Sequence, residues 1–168
     1  PDARFDLKWA ELELPSTQGL ESVEFMFSAN KGRALESLKK VASGGELSRF
    51  MLGIKNLIAR FKQLPTILFD EIDTGVSGKM ADRMGGIMAE MGDRMQVICI
   101  THLPQVAAKG VKHFKVYKES TQDDTFTGIR SLSEVERIEE LATMLSGAAQ
   151  TEAARLTAKE LLERAVVR

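Results

Sequence analysis

The sequence has one cysteine, Cys99, in 168 residues. An internal disulfide is therefore excluded, and the usage suits a reducing compartment. Charge of one sign is also missing: the formal net charge is −1, which gives no global electrostatic case for nucleic-acid binding by this piece. No apolar stretch approaches the ~20 residues that span a bilayer. No signal peptide is visible, and no internal repeat or low-complexity linker is present. The expectation is a cytoplasmic protein with no membrane partner. The chain opens with Pro1 and runs at once into a β-like segment, as a piece of something longer would.

What is present is ordinary for one globular domain. Apolar residues make up 43% of the chain and charged residues 28%, enough for a sizeable core. Phe5, Leu7 and Trp9 alternate, as do Val23, Phe25 and Phe27, and Pro15 to Gly19 forms the turn between two N-terminal strands. Asn30 to Arg33 makes a second turn. The spacing of Leu47, Phe50, Met51, Ile54, Leu57, Ile58 and Phe61 predicts a helix over 45–61 with that face buried. "TILFDEID" and "MQVICITH" read as strands buried on both faces, as in a parallel sheet. Between them Met80, Met84, Ile87, Met88 and Met91 form a helical stripe of adaptable core packing. A short helix-like "LPQVAAKG" follows the second strand. Residues 113–118 and 126–132 read as a strand pair around Gln122 to Asp124. Ser133 and Glu136 open a capped helix that Gly147 stops, and a last helix runs over 151–166. Alternating strands and helices predict an α/β fold, mainly a parallel sheet flanked by helices, with an N-terminal strand pair.

Three short stretches carry chemistry. In "VASGGELSRF", Gly44 and Gly45 stand at a helix start, where each costs up to roughly 1 kcal/mol relative to alanine. Ser43 and Glu46 fit a capping box, which explains neither glycine. The alternative is a phosphate approaching bare backbone at the positive end of the helix dipole. By itself the stretch leaves the two readings even. "ILFDEID" ends a buried strand in Asp70, Glu71 and Asp73, where α/β sheets place their ligands. Mg²⁺ is the natural cation there, with Asp70 holding it and Glu71 orienting and deprotonating a water. The plainer reading has these acids capping the next loop or pairing with arginines. "ITH" ends the second strand, which puts His102 near Asp70 if the strands are neighbours. There it could donate to a γ-phosphate, although lone histidines are more often structural; His113 takes the structural reading, and so does Cys99 within its apolar run.

In this order the stretches resemble the signature, Walker B strand and switch histidine of ATP-binding-cassette ATPases. "VEFMFSANKG", "KVASGGELSRFMLGIK", "FDEIDTGVSG", "THLPQVAA" and "MLSG" narrow the likeness to the C-terminal part of the RecN family, SMC-related bacterial DNA-repair ATPases. The likeness runs from about Ser22 to the end. It implies ATP and Mg²⁺ as cofactors and two heads that sandwich the nucleotide. Ser43, Gly44, Gly45 and Glu46 would meet ATP bound to the other head, and Asp70 would match the Mg²⁺-coordinating acid. Glu71 would match the catalytic base, Asp73 the loop that crosses the dimer interface to the nucleotide, and His102 the γ-phosphate sensor. DNA would be a partner of the full-length protein, acting at the nucleoid.

One part of the pattern is missing. No G-x-x-x-x-G-K-[ST] exists: Gly78-Lys79 is the one Gly-Lys pair, with Asp73 at the first glycine position and Met80 at the Ser/Thr position. The resemblance implies that this Walker A loop lies in an N-terminal half, the expected partner, and that this piece alone is weak or inactive as an ATPase. A transporter ATPase is disfavoured, because Ile72-Asp73 stands where that pattern has Pro-Thr. An ATP-gated DNA-bridging clamp, in which hydrolysis only resets the state, remains an alternative, and so does a scaffold that keeps the motifs without catalysis.

Overall fold

A computed structural model describes residues 3–166 except 18, 29–31, 33, 42–43, 121–123 and 148–150. Two compact units divide at Phe50, inside one helix. In the first, β1 (Arg4–Ser16) and β2 (Gly19–Ser28) form an antiparallel hairpin, to whose far edge the short β3 (Glu36–Ser37) adds. The register pairs Phe5 with Phe27, Leu7 with Phe25 and Trp9 with Val23, so alternation collects the large residues on one face. Phe50 closes one end of that face, its ring 5.9 Å from Phe5 and 5.6 Å from Phe27. Trp9, Val23 and Phe25 stay exposed.

A single turn, α1 (Leu38–Val41), precedes the long helix α2 (Gly44–Lys62), which carries the chain into the second unit. There β4 (Thr66–Asp70) and β5 (Gln96–Ile100) pair in parallel, from Thr66 beside Gln96 to Asp70 beside Ile100. Helix α3 (Gly78–Gly92) makes the crossover, and the one-turn α4 (Pro104–Ala107) follows β5. Two hydrophobic clusters hold this unit. Leu52 and Ala59 of α2, Phe69 of β4, and Ala81, Met84, Met88 and Met91 of α3 form the first. The methionine stripe is thus core, with Met80 and Ile87 at its margin. The antiparallel β6 (Phe114–Ser120) and β7 (Thr125–Ser131) then lead into α5 (Glu134–Ser146) and α6 (Glu152–Val166). Leu141, Ala142, Ala154 and Ala158 make the second cluster between these helices, joined by Ala108.

The α/β expectation holds, its parallel part being the single pair β4–β5 beside antiparallel strands; two finer expectations need correction. That pair is not buried on both faces: Ile67, Phe69, Val97 and Cys99 face the core, whereas Leu68 (54% exposed), Ile98 and Ile100 do not. The stripe chosen for the buried side of α2 is also largely open, with Phe61 86% exposed, while Leu52 and Ala59 are the buried positions. Spacing identified apolar faces in both places, and most of their residues stay exposed. The turn at 30–33 and the capping pair Ser43–Glu46 lie outside the described residues or side chains.

Candidate functional site

The acids stand where the apolar strand runs out. Phe69 anchors the last inward position of β4 with no exposure, and Asp70 follows on the open side. Glu71 leaves the strand with φ of +45°, a left-handed conformation that costs a non-glycine residue on the order of 1 kcal/mol or more. It is held there from both directions. Its N–H donates to the Ile100 carbonyl at 3.2 Å, and its own carbonyl accepts from the Thr74 N–H and, at 2.9 Å, from the Thr74 hydroxyl. The turn that swings the exposed Glu71 side chain out is thereby tied to the end of β5.

Asp73 lies in the next turn, where its carbonyl accepts from the Val76 N–H at 3.1 Å. Its carboxylate is fully buried. The Thr101 hydroxyl donates to Oδ2, and that hydroxyl also accepts from the Leu103 N–H at 3.0 Å. Oδ1 has no hydrogen-bond partner, and His102 Nδ1 lies 3.8 Å away from it. His102 itself is 65% exposed at its side chain. The parallel register therefore brings Asp70, Glu71, Asp73 and His102 to the carboxyl end of one strand pair. Asp73, matched by resemblance to the loop that crosses the dimer interface, has its side chain buried within this chain, with Thr101 and His102 as neighbours.

The remaining candidates are placed as follows. Gly44 and Gly45 belong to the first turn of α2, and Gly45 is buried. Ser43 and the Glu46 side chain are outside the description. Cys99 packs against the first core cluster, and burial, helped by the charge of Asp73, pushes its thiol up to about 11. It stays protonated and structural. His113 is held down from its ordinary range by burial and then by Arg137, whose guanidinium donates to the Gly110 carbonyl at 2.8 Å. It serves the fold. Thr101 is the residue that sequence reasoning passed over. Its one signal was a hydroxyl side chain next to the histidine, at the mouth of an apolar strand.

Among the described residues no three His, Cys, Asp or Glu side chains cluster tightly enough to hold a metal ion. Mg²⁺ characteristically takes one or two carboxylates and completes its shell with water and substrate phosphates. The exposed Asp70 at a strand end fits that mode. None of the described helices is long and apolar enough to cross a membrane.

Comparison with known proteins gives these features a context. No family model matches the chain. It is 42% identical over 160 residues to the DNA repair protein RecN of Rickettsia bellii, which is 95% of this chain and 29% of that protein. It is 44% identical over 148 residues to RecN of Bacillus subtilis, 88% of this chain and 26% of that one. The chain thus spans little more than a quarter of the relatives it matches. One solved structure, described as the structural biochemistry of ATP-driven dimerization and DNA-stimulated activation of SMC ATPases, superposes with a TM-score of 0.62 at 25% identity. It covers 89% of this chain and 85% of that one. The Smc head domain with a coiled coil and joint from Pyrococcus yayanosii gives 0.64 at 27% identity, over 84% of this chain and 26% of that one. The sequence is RecN-like, and the fold is of the SMC ATPase-head type.

Proposed function

We propose that this RecN-like chain is the C-terminal half of an ATPase head. It would supply the signature at Ser43 to Glu46, the Mg²⁺-binding acid Asp70, the catalytic base Glu71 and the switch histidine His102. The reading is supported above all by one observation: Asp70, Glu71 and His102 come from the adjoining carboxyl ends of two parallel strands. That is the position from which α/β sheets engage ligands. Asp70 would hold the Mg²⁺ that accompanies the nucleotide. The Glu71 carboxylate accepts a proton from the attacking water, and His102 contacts the γ-phosphate. Mg²⁺, when bound, neutralises charge on the phosphates.

The complement would be the Walker A half, and the open faces support it. Parallel sheets are covered on both sides, yet Leu68, Ile98 and Ile100 are about half exposed. ATP would then be sandwiched with a second head, in which the Gly44–Gly45 helix start faces the other subunit's phosphate. The service performed is DNA double-strand break repair by the longer protein.

Steady-state ATP hydrolysis by this chain, alone and mixed with a separately produced Walker A half, tests the reading. Turnover that appears only on mixing, and vanishes with Glu71→Gln, is the expected result. Association without turnover would overturn it in favour of a binding or clamp role.

A further inference from the structure

We propose that Asp73 is the positioning residue for His102: its buried Oδ1 accepts the Nδ1 proton of the imidazole and fixes which ring nitrogen is left for a ligand. The inference rests on the reading of His102 as the phosphate-facing histidine, and the geometry that carries it is independent of any nucleotide. Asp73 has no solvent exposure, and its Oδ1 has no hydrogen-bond partner. A buried carboxylate oxygen left unpaired is costly, so native structures give such an atom a partner. Its other oxygen is committed. Thr101 Oγ1 accepts from the Leu103 N–H, so its single proton goes to Asp73 Oδ2. The carboxylate cannot rotate without breaking that chain of two bonds.

His102 Nδ1 lies 3.8 Å from Oδ1, on a side chain that is 65% exposed. That distance is too long for a hydrogen bond. A small rotation of the ring closes it, and contacts of this kind characteristically tighten when a ligand arrives. With Nδ1–H given to Asp73, Nε2 becomes the outward nitrogen, and the ring is held in one tautomer and one orientation. In the neutral ring Nε2 is an acceptor. In the doubly protonated ring it is a donor to a phosphate oxygen. The loop after β4 and the histidine after β5 thereby act as one unit, and Thr101 is its hinge pin.

The experiment uses the fact that the chain has two histidines, His102 and His113. Long-range proton–nitrogen spectra of the ¹⁵N-labelled chain at about pH 8, above the ordinary histidine range, report which nitrogen carries the proton. His102→Gln assigns the signals. The expected result is a proton on Nδ1 of His102 in the unsubstituted chain. Asp73→Asn should then move it to Nε2. The carboxamide oxygen must take the Thr101 proton, which leaves its NH₂ facing the ring and requires Nδ1 to accept. A proton on Nε2 in the unsubstituted chain, or a His102 spectrum unmoved by Asp73→Asn, overturns the proposal. If the variant does not fold, the tautomer of the unsubstituted chain decides alone. The outcome is separable from the ATPase reading. Turnover on mixing with an unresponsive tautomer sinks only this proposal, and a responsive tautomer without turnover sinks only that reading. Where both hold, Asp73→Asn should lower kcat about tenfold or more.

Discussion

The β4–β5 pair and the α5–α6 pair are both built from unbroken apolar patterns, yet one is finished and the other is not. In the helical pair the cap, the stop and the seam are all made within the chain. Ser133 caps α5 in a full capping box with Glu136, Gly147 ends it with φ of +72°, and Leu141, Ala142, Ala154 and Ala158 close the seam. The strand pair has one covered face, with Phe69 at no exposure, and one open face of Leu68, Ile98 and Ile100. It also carries the strained Glu71 and the unpaired Asp73 Oδ1. An open apolar face, a strained residue and an unpaired carboxylate oxygen thus fall together at the place where the proposed chemistry sits. The difference teaches that self-sufficiency and function are divided between regions of this chain.

That division is open to attack first through the chemistry. Glu71→Gln keeps the shape and hydrogen-bonding reach of the side chain and removes its capacity as a base. In the reconstituted head, turnover should fall about 10²–10⁴-fold, the range that a positioned general base supplies. The melting temperature of this chain should stay essentially where it was, because the residue is exposed. A parallel loss of folding would show that the acid belongs to the structural ledger and would remove the contrast.

The next test sets one leucine against another. Leu141 is completely buried between helices, so Leu141→Ala should destabilise the chain by about 2–5 kcal/mol in denaturant unfolding. Leu68 is of the same type but lies on the open face. Leu68→Lys should change stability by less than ~1 kcal/mol and yet abolish rescue of ATP hydrolysis on mixing with the Walker A half. Equal destabilisation by the two substitutions would mean that the open face is covered within this chain, and the argument for a complement would fail.

A smaller effect sharpens how the finished part is joined. A Cβ on Gly85 of α3 would lie 2.9 Å from Lys109 Cγ, 3.3 Å from the Gln105 carbonyl oxygen and 3.3 Å from Val106 Cα. The lysine stem can move, but the backbone of α4 cannot without shifting the segment that follows His102. Gly85→Ala should therefore cost about 1–3 kcal/mol, measured by thermal or denaturant unfolding. Gly86→Ala, which meets nothing within 4 Å, is the control that should be neutral or slightly stabilising.

How far the sequence was legible follows the same division. The capped start and glycine stop of α5, the methionine stripe of α3, the N-terminal hairpin and the two strands of the parallel pair were all readable, because local chemistry and an internal partner agree on them. What went astray was the direction of burial. Leu47, Met51, Ile58 and Phe61 show helical spacing as regular as any core face, yet they are exposed. Periodicity reports that a face is apolar and is silent on whether its cover lies in the same chain. The candidate residues Asp70, Glu71 and His102 were legible in the sequence as polar types at strand ends, which is where the structure places them. The Thr101–Asp73–His102 arrangement was not, because it depends on which strands adjoin and in what register.

The smallest effect expected is the pH response of the finished end. Glu136 accepts from the Ser133 backbone N–H and hydroxyl, each at 2.8 Å, and from Arg130. Those contacts, the Ser133 backbone first, hold its carboxyl down to about 2. A carboxylate with a folded value below its unfolded one contributes stability that is complete above the unfolded value. That contribution fades as the pH falls from about 4.5, the ordinary glutamate value, toward about 2. Glu136→Gln should flatten that part of the stability–pH curve and leave the curve near neutrality displaced but parallel. Ser133→Ala removes the other half of the box and should cost about 0.5–2 kcal/mol near neutrality, and less at low pH, because the Ser133 hydroxyl is one of the contacts that hold the Glu136 carboxyl down. Because the box and its Arg130 partner belong to this chain, both effects should be identical with and without the Walker A half. Dependence on the added half would mean that α5 too is finished only in the complex, and the boundary between the self-sufficient and the incomplete parts of the chain would have to be redrawn.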